Sequence, residues 1–568
     1  MIFQIFMDGL MDVISKQIDV VPMVKYYIEE MGLHKIFDQY VPNTNGADIK
    51  PASVFCTLIT NILVSKKPLY KIEEWLSDYM DGKAEEQDLA KKYNDDRCAR
   101  DLDRLFASDR HSMMTEAATA AVRTHDLETD FIHNDSTSIT FSGNYDDQSP
   151  DAIHLEYGYN KDHRPDLKQI VFGLNITEDG HVPLSYQAYD GATADIATHQ
   201  TNWDGLRTFL GKTDFSYNAD CKLYGHDNLQ HIHQHGGKFT TLGPKNIKEM
   251  KQFIARIKEG EAVNWEYAYE VENSRKKAQK DVYQTYDNER SADGYRIIWV
   301  HSSSKDTREK NVRQGQLETA EKKLQKLSTT LNRYYLKTDE QINKAVTDIC
   351  TDTGDQLTVE IKKKESTDTR QVKAGRAGAN TQYKKQVKIS YSLEWHRNEA
   401  EIERESRADG LFPLVSNDEV MEPGMVLKHY KEQPYLEKRF YTSKSIFEVA
   451  PVFLHKNERI EAILFLYFIA LMIVSLMERN IRQNMAEQGI ESLPIRPTGL
   501  NCQKPTWNNI RYFFRNIYMA MIVKGSRIIS TKIKGVTTLH KLLLSLLKVP
   551  ESIYVDLKNF WWEYEFSP

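Results

Sequence analysis

The change of hydrophobic period near Thr129 constrains this chain more than any other feature. Up to about residue 125, apolar side chains recur at helical spacing, as in Val24–Met31 and Val54–Leu63. Asn94, followed by Asp95 and Asp96, predicts a helix start before an amphipathic run ending near Phe106. From Thr129 the period becomes two. Asp130–Phe141 alternates and is rich in β-branched residues, which predicts a strand. Gln169–Ile176 and Pro183–Tyr189 predict two more. A helix is expected across Thr198–Leu210, then a fourth strand over Phe215–Asp220, a helix from about His226, and a fifth strand at Phe239–Leu242.

Three strands, a helix, a strand, a helix and a strand is the order of the ribonuclease-H-like fold. Beyond residue 250 the regularity breaks. Val263–Glu270 and Tyr295–Val300 predict strands before a long helix that carries Leu317, Ala320, Leu324, Leu327, Leu331 and Tyr334 on one stripe. That stripe is expected to pack on Ile342, Val346 and Ile349. Strands near Leu357–Ile361 and Val387–Leu393 bracket a basic, glycine-containing loop, and Leu411–Ser416 is expected to bring the chain back to the sheet edge.

With 568 residues the chain exceeds one compact core. The expected class is α/β: a ribonuclease-H-like mixed-sheet core with an inserted α+β domain, preceded by an all-helical N-terminal domain. The expected boundaries are 1–125 for the helical domain, 126–249 and 406–482 for the core, 250–405 for the insertion and 483–568 for a helical tail.

Two aspartates stand where chemistry collects in such a sheet. Asp135 interrupts the first strand, and Asp220 closes the fourth, at an end where ligands of open α/β sheets bind. Farther on, His429–Lys444 spaces Tyr430, Gln433, Glu437 and Lys444 at intervals of three, four and seven. On one continuous helix of about four turns these side chains share a stripe. If Glu437 docks beside Asp135 and Asp220, three carboxylates converge. Such oxygen donors suit Mg2+ or Mn2+. Two ions about 4 Å apart can serve in-line phosphoryl transfer.

These residues carry a resemblance. The spacing Tyr430-x2-Gln433-x3-Glu437-x6-Lys444 resembles the Tyr-x2-Arg-x3-Glu-x6-Lys signature of DDE transposases of bacterial insertion sequences, of the insertion-sequence-four type. The departure is Gln433, an amide in place of a guanidinium, which removes a bidentate phosphate contact that Lys438 or Arg439 could offset. Tyr157–Gln169 and Asp190–Asp195 resemble the linker between the first two core strands and the segment after the third. The resemblance spans roughly residues 125–480. It implies an enzyme that cleaves element ends and joins them to target DNA, with Asp135, Asp220 and Glu437 binding two Mg2+ ions. Tyr430, Gln433 and Lys444 would contact DNA. The implied partners are terminal inverted repeats and target duplex, with a homodimer in the synaptic complex and no membrane. A DNA-binding or assembly protein that has lost the chemistry, and a nuclease that cuts without joining, are the alternatives.

Other signals are weaker. Lys161, His163, Arg164 and Lys168 form a basic group expected to contact DNA. Between 361 and 388, nine Lys and Arg residues stand against Glu365 and Asp368, suited to phosphate contact or to a solvated loop. Trp265, Trp299 and Trp395 fall in the insertion, as core residues or as a base-stacking platform. Of His226, His231, His233 and His235, only His231 and His235 share a helix face, which argues against a zinc site. Net charge is −6, so any DNA grip must come from local basic patches. The five cysteines lack CxxC spacing and fit a reducing compartment. The start, Met1–Asp8, has no basic leading region, and a cytoplasmic, nucleoid-associated location is expected. Ala462–Met477 is apolar but short and flanked by charges, which predicts a buried core helix.

Overall fold

The computed structural model describes residues 11–43, 47, 49–79, 90–158, 164–193, 198–272, 279–333, 336–448, 454–524 and 527–555. The chain divides into two compact units, 1–241 with 429–568, and 242–428. Division thus falls near 242 and 428, not at the expected 250 and 405, and no division separates the N-terminal helices from the core.

The first unit opens with a strand, β1 (Met11–Gln17), so this region is not all-helical. Helices follow: α1 (Val21–Glu30), α2 (Leu33–Tyr40), α3 (Pro51–Val64), α4 (Ile72–Tyr79), α5 (Asp95–Ala107) and α6 (Arg110–His125). Asn94 caps α5 as expected, its side chain accepting from the N–H of Arg97. Proline at the start of α3 presets helical φ, and every residue of that helix is buried.

The sheet of this unit contains β2 (Phe131–Phe141), β3 (Lys168–Thr177) and β4 (Pro183–Tyr189), then α7 (His199–Leu210), β5 (Ser216–Ala219), α8 (His226–Gln234) and β6 (Lys238–Leu242). The element order matches the sequence expectation. Strands β2, β3 and β4 form an antiparallel meander, and β5 and β6 add in parallel beside β2, giving the order β4-β3-β2-β5-β6. The two blocks around Tyr157–Gln169 and Asp190 meet here. Glu156 bridges Gln169, whose side-chain amide donates to Gly191 O at 2.7 Å. A Cβ on Gly191 would stand 2.1 Å from Gln169 O, so only glycine fits this crossing. Lys161, His163 and Asp195 lie outside the described residues.

The second unit contains α9 (Lys248–Lys258), β7 (Glu266–Glu272), β8 (Lys280–Arg290), β9 (Arg296–Ser302), α10 (Ser303–Thr330), α11 (Asp339–Cys350), β10 (Leu357–Gln371), β11 (Tyr383–Arg397), α12 (Glu399–Ser406) and β12 (Leu411–Ser416). Strands β12, β9, β8 and β7 pair antiparallel in that order. Strand β8 was not anticipated. The stripe on α10 behaves as expected: Leu317, Ala320 and Leu324 are buried with Ile342, and Leu327, Val346 and Ile349 pack on them. Tyr334 lies outside the described residues. The expected basic loop is instead a two-stranded ribbon, β10 with β11, in register from Leu357↔Arg397 to Gln371↔Tyr383. Trp299 is fully buried and stacked on Phe253 at 4.2 Å, and Trp395 packs on the α10 core. Trp265 is half-buried beside Tyr286 and His301.

The chain then forms α13 (Pro423–Tyr430), α14 (Pro434–Tyr441), a π-helical turn (Thr442–Ile446), α15 (Asn457–Glu487), α16 (Trp507–Phe514), β13 (Tyr518–Lys524), β14 (Arg527–Lys534) and α17 (Thr538–Leu546). Helix α15 is long and apolar enough to cross a membrane, but 89% of its apolar window is buried within the protein. It is apolar on all sides because it is surrounded. Side chains from α1, α3, α5, α6, β2, β3, α15 and the tail share its hydrophobic cluster. The tail is therefore not purely helical. β13 pairs with both β14 and β1, burying Met519 and Met521. Sequence separation hid this pairing, because nothing local specifies a partner about 500 positions away.

Candidate active site

Strands β2 and β5 run parallel with Phe131↔Ser216 through Asn134↔Ala219 as partners. One step beyond that last pair come Asp135 and Asp220. Neighbouring strands lie about 4.8 Å apart, and paired residues of a parallel ladder point to the same face. The two aspartates are thus side by side where the parallel pairing ends, and both are half-buried. Backbone amides fix them. Asp135 accepts from the N–H of Ser136 at 2.8 Å and Asp220 from that of Lys222 at 2.9 Å. The carbonyl of Asp220 accepts from Thr241 Oγ1 at 2.6 Å, tying the end of β5 to β6.

Beneath the aspartates, on the other face of the sheet, runs a polar network. Asn134 donates to Asn175 Oδ1 at 2.9 Å, Asn175 to Asn202 Oδ1 at 2.7 Å, and Asn202 to the Tyr217 hydroxyl at 2.9 Å. Buried amides that satisfy one another hold β2, β3, β5 and α7 in a single arrangement.

The segment 429–441 docks on the Asp135 side. Residues 133 and 135 share a face of β2 by the strand period, and His133 Nδ1 lies 3.0 Å from Gln433 Oε1. Gln433 also donates to Asn134 O at 2.8 Å. His429 stacks on Phe131 at 3.6 Å, and its Nδ1 is 2.9 Å from Glu178. His181 stacks on Tyr435 at 3.9 Å and meets Glu432 at 2.9 Å. Buried Arg439 donates to the carbonyls of Gly180 and His181 and pairs with Glu478 at 2.7 Å.

This geometry changes the reading of the motif. The segment is not one helix: Pro434 starts α14 afresh, and a π-helical turn holds Lys444. A π turn has more residues per turn, so Lys444 rotates off the expected stripe. Gln433 is a tie between α14 and β2, turned inward where a phosphate grip was expected. Arg439 cannot replace a missing phosphate contact, since its guanidinium is buried and fully engaged. Lys438 is exposed, with its ammonium over the Tyr435 ring at 3.8 Å. Glu437 lies one turn from Gln433 on the same side of α14 and is exposed. Among the described residues, no group of three or more His, Cys, Asp or Glu is gathered closely enough to hold a metal ion. The expected convergence of three carboxylates is therefore not present in this conformation. Instead Tyr430 joins the aspartates: burial raises the pKa of its hydroxyl, and the charges of Asp220, Cys221 and Asp135 raise it further.

Arg164 makes a bidentate pair with Asp166 at the surface, and half-buried Lys168 binds Asp146 and the carbonyl of Tyr145. His231 pairs with Asp204 at 3.1 Å. The five cysteines are free thiols.

The docking residues His133, Glu178, His181 and Glu432 were not legible in the sequence. Glu178 and His429 are separated by 251 positions, and only the alternation placing His133 two before Asp135 hinted at them. Two expectations follow. Gln433→Ala removes both ties to β2 and should cost about 1–2 kcal/mol, read by chemical denaturation, whereas Gln433→Arg should not tighten DNA binding. Burial pushes the Glu178 carboxyl up, but the hydrogen bond with His429 and the ion pairs with His133 at 3.6 Å and His429 outweigh it and hold it at about 2. A carboxyl depressed in the folded state stabilises above its ordinary pKa and loses that contribution as pH falls. The stability margin of the native chain over Glu178→Gln should thus shrink between about pH 4.5 and pH 2, measured by thermal unfolding across that window.

A family model described as a domain of unknown function (DUF4277) matches residues 13–119, from β1 into α6. No curated protein matches the chain. Among solved structures, the chain is similar to a piggyBac transposase synaptic complex with hairpin DNA, determined by cryo-EM. The TM-score is 0.36 and the identity 8%, over 86% of this chain and 80% of that one.

Proposed function

We propose that this chain is a DNA transposase with a ribonuclease-H-like core, cleaving the ends of its element and joining them to target DNA. The observation that carries the reading is the placement of Asp135 and Asp220 as neighbours just past the last paired residues of two parallel strands. Two carboxylates on adjacent strands, just where the parallel pairing ends, are the donor type that hard divalent cations prefer. Asp135 and Asp220 would hold Mg2+, with Glu437 brought in from α14 when DNA engages the segment. A bound pair of Mg2+ ions would supply the activated attacking oxygen and stabilise the leaving one. Tyr430 beside the acids and Lys444 farther along would orient the phosphate. A homodimer on paired inverted repeats and a cytoplasmic location belong to the same proposal.

The test incubates the full chain with duplex DNA carrying the inverted repeats that flank its gene, with Mg2+ or with EDTA. Mg2+-dependent nicking followed by joining is the expected result. A mobility shift without cutting in either condition would overturn the enzymatic reading. Cutting without joining would reduce it to a nuclease.

A further inference from the structure

The ribbon β10–β11 has two unlike faces. Each strand has fifteen residues, which at about 3.4 Å per residue makes it roughly 50 Å long. Its base packs on α10 through Leu357, Tyr391 and Leu393, but from Lys362 outward every residue of β10 up to Arg370 is exposed, as is every residue of β11 from Tyr383 to Ile389. Paired residues of an antiparallel ladder share a face, so the register sorts the side chains. One face of the outer half carries Lys364, Arg370, Lys384 and Lys388 against a single acid, Asp368. The other carries Tyr383, Val387 and Ile389, all more than 40% exposed, with Lys385 against Glu365. Lys364, Lys384 and Lys388 form no ion pair among the described residues, and Arg370 reaches Asp368 only at 3.8 Å.

An isolated two-stranded ribbon is marginal in water. Four cations on one exposed face, in a chain of net charge −6, do nothing for its folding and repel one another. We infer that this ribbon is a DNA-binding arm, its Lys364–Arg370–Lys384–Lys388 face set against the phosphates of a B-form duplex. The major groove of B-DNA admits a two-stranded ribbon, whereas that of A-form RNA is too narrow. The inference rests on the reading of this chain as a protein that acts on DNA.

The test measures binding of the full chain to a generic duplex by fluorescence anisotropy in EDTA, over a series of salt concentrations. The quadruple variant Lys364→Gln, Arg370→Gln, Lys384→Gln, Lys388→Gln is expected to bind more weakly, with a salt slope smaller by about 3–4, since each phosphate contact contributes about 0.9. The opposite-face pair Val387→Ser, Ile389→Ser should leave that slope unchanged. Circular dichroism of both variants confirms folding, and a quadruple variant that misfolds is replaced by the two pairs Lys364→Gln with Lys388→Gln, and Arg370→Gln with Lys384→Gln, each expected to lower the slope by about 2. An unchanged slope in the basic-face variants overturns the inference, as does an equal loss from the opposite face or an equal loss on duplex RNA. Because no cleavage is read, the two proposals fail separately. A chain that binds through the arm but never cuts keeps this one and loses the transposase reading; a chain that cuts with an unchanged slope does the reverse.

Discussion

Asp135→Asn and Asp220→Asn should each lower Mg2+-dependent strand cleavage by on the order of 10²–10³-fold or more, while duplex binding in EDTA stays within twofold of the native chain. The substitution is chosen for what it keeps. An amide oxygen still accepts from the N–H of Ser136 or Lys222, so the local backbone retains these hydrogen bonds and only the charge is lost. A metal held by two neighbouring carboxylates loses half of its anionic donors with either change. Glu437→Gln separates two versions of the site. A loss as large as for the aspartates means that α14 delivers Glu437 to the metal when DNA binds. A small loss, with a large one for Tyr430→Phe, means that the working site is the aspartate pair with Tyr430. Cleavage surviving both aspartate substitutions would end the metal-site reading altogether.

What the sequence disclosed followed the range of the interactions concerned. The strand–helix order from residue 130 to 242 was readable because each element has its own period, bounded by turn residues. The α10 stripe was readable because Leu317, Ala320 and Leu324 lie within two turns of one helix. The adjacency of Asp135 and Asp220 was half-readable: their positions on strands were local information, but their register was not. The continuous helix over residues 429–444 failed because Pro434 was outweighed by an attractive spacing. The β10–β11 ribbon was cut short at both strands because the outer residues of β10, from Lys362 to Gln371, are polar or charged on both faces, and Lys384, Lys385 and Gln386 break the apolar alternation of β11. The mixing of β1 with the tail, and of the N-terminal helices with α15, depends on contacts hundreds of positions apart. No local pattern encodes them.

Glu478→Gln should destabilise the chain by about 3–5 kcal/mol. Glu478 lies on α15, and its side chain is 7% exposed. Its Oε2 is 2.7 Å from Arg439 and 3.3 Å from Arg482, and Oε1 accepts from the N–H of Trp507 at 2.8 Å. Burial pushes this carboxyl up, but the charges of Arg439 and Arg482 and the Trp507 amide outweigh burial, so it stays ionised. Removing the anion leaves the Arg439 guanidinium buried among neutral partners alone: the carbonyls of Gly180 and His181 and the one amide oxygen that Arg439 must share with the Trp507 N–H. Desolvation of an unpaired charge is what makes such a change severe. The double variant Arg439→Met, Glu478→Leu removes both charges and refills the space, so it should be less destabilised than the sum of the two single changes by at least 1 kcal/mol or so. Urea denaturation of the four chains measures both quantities. Because Arg439 also pins α14 to the β3–β4 turn, the single variant should lose strand cleavage at temperatures where it is still folded, and the double variant should share that loss. A Glu478→Gln chain within 1 kcal/mol or so of the native one would show that water reaches Arg439, and that α14 is held by Gln433, His429 and His181 instead.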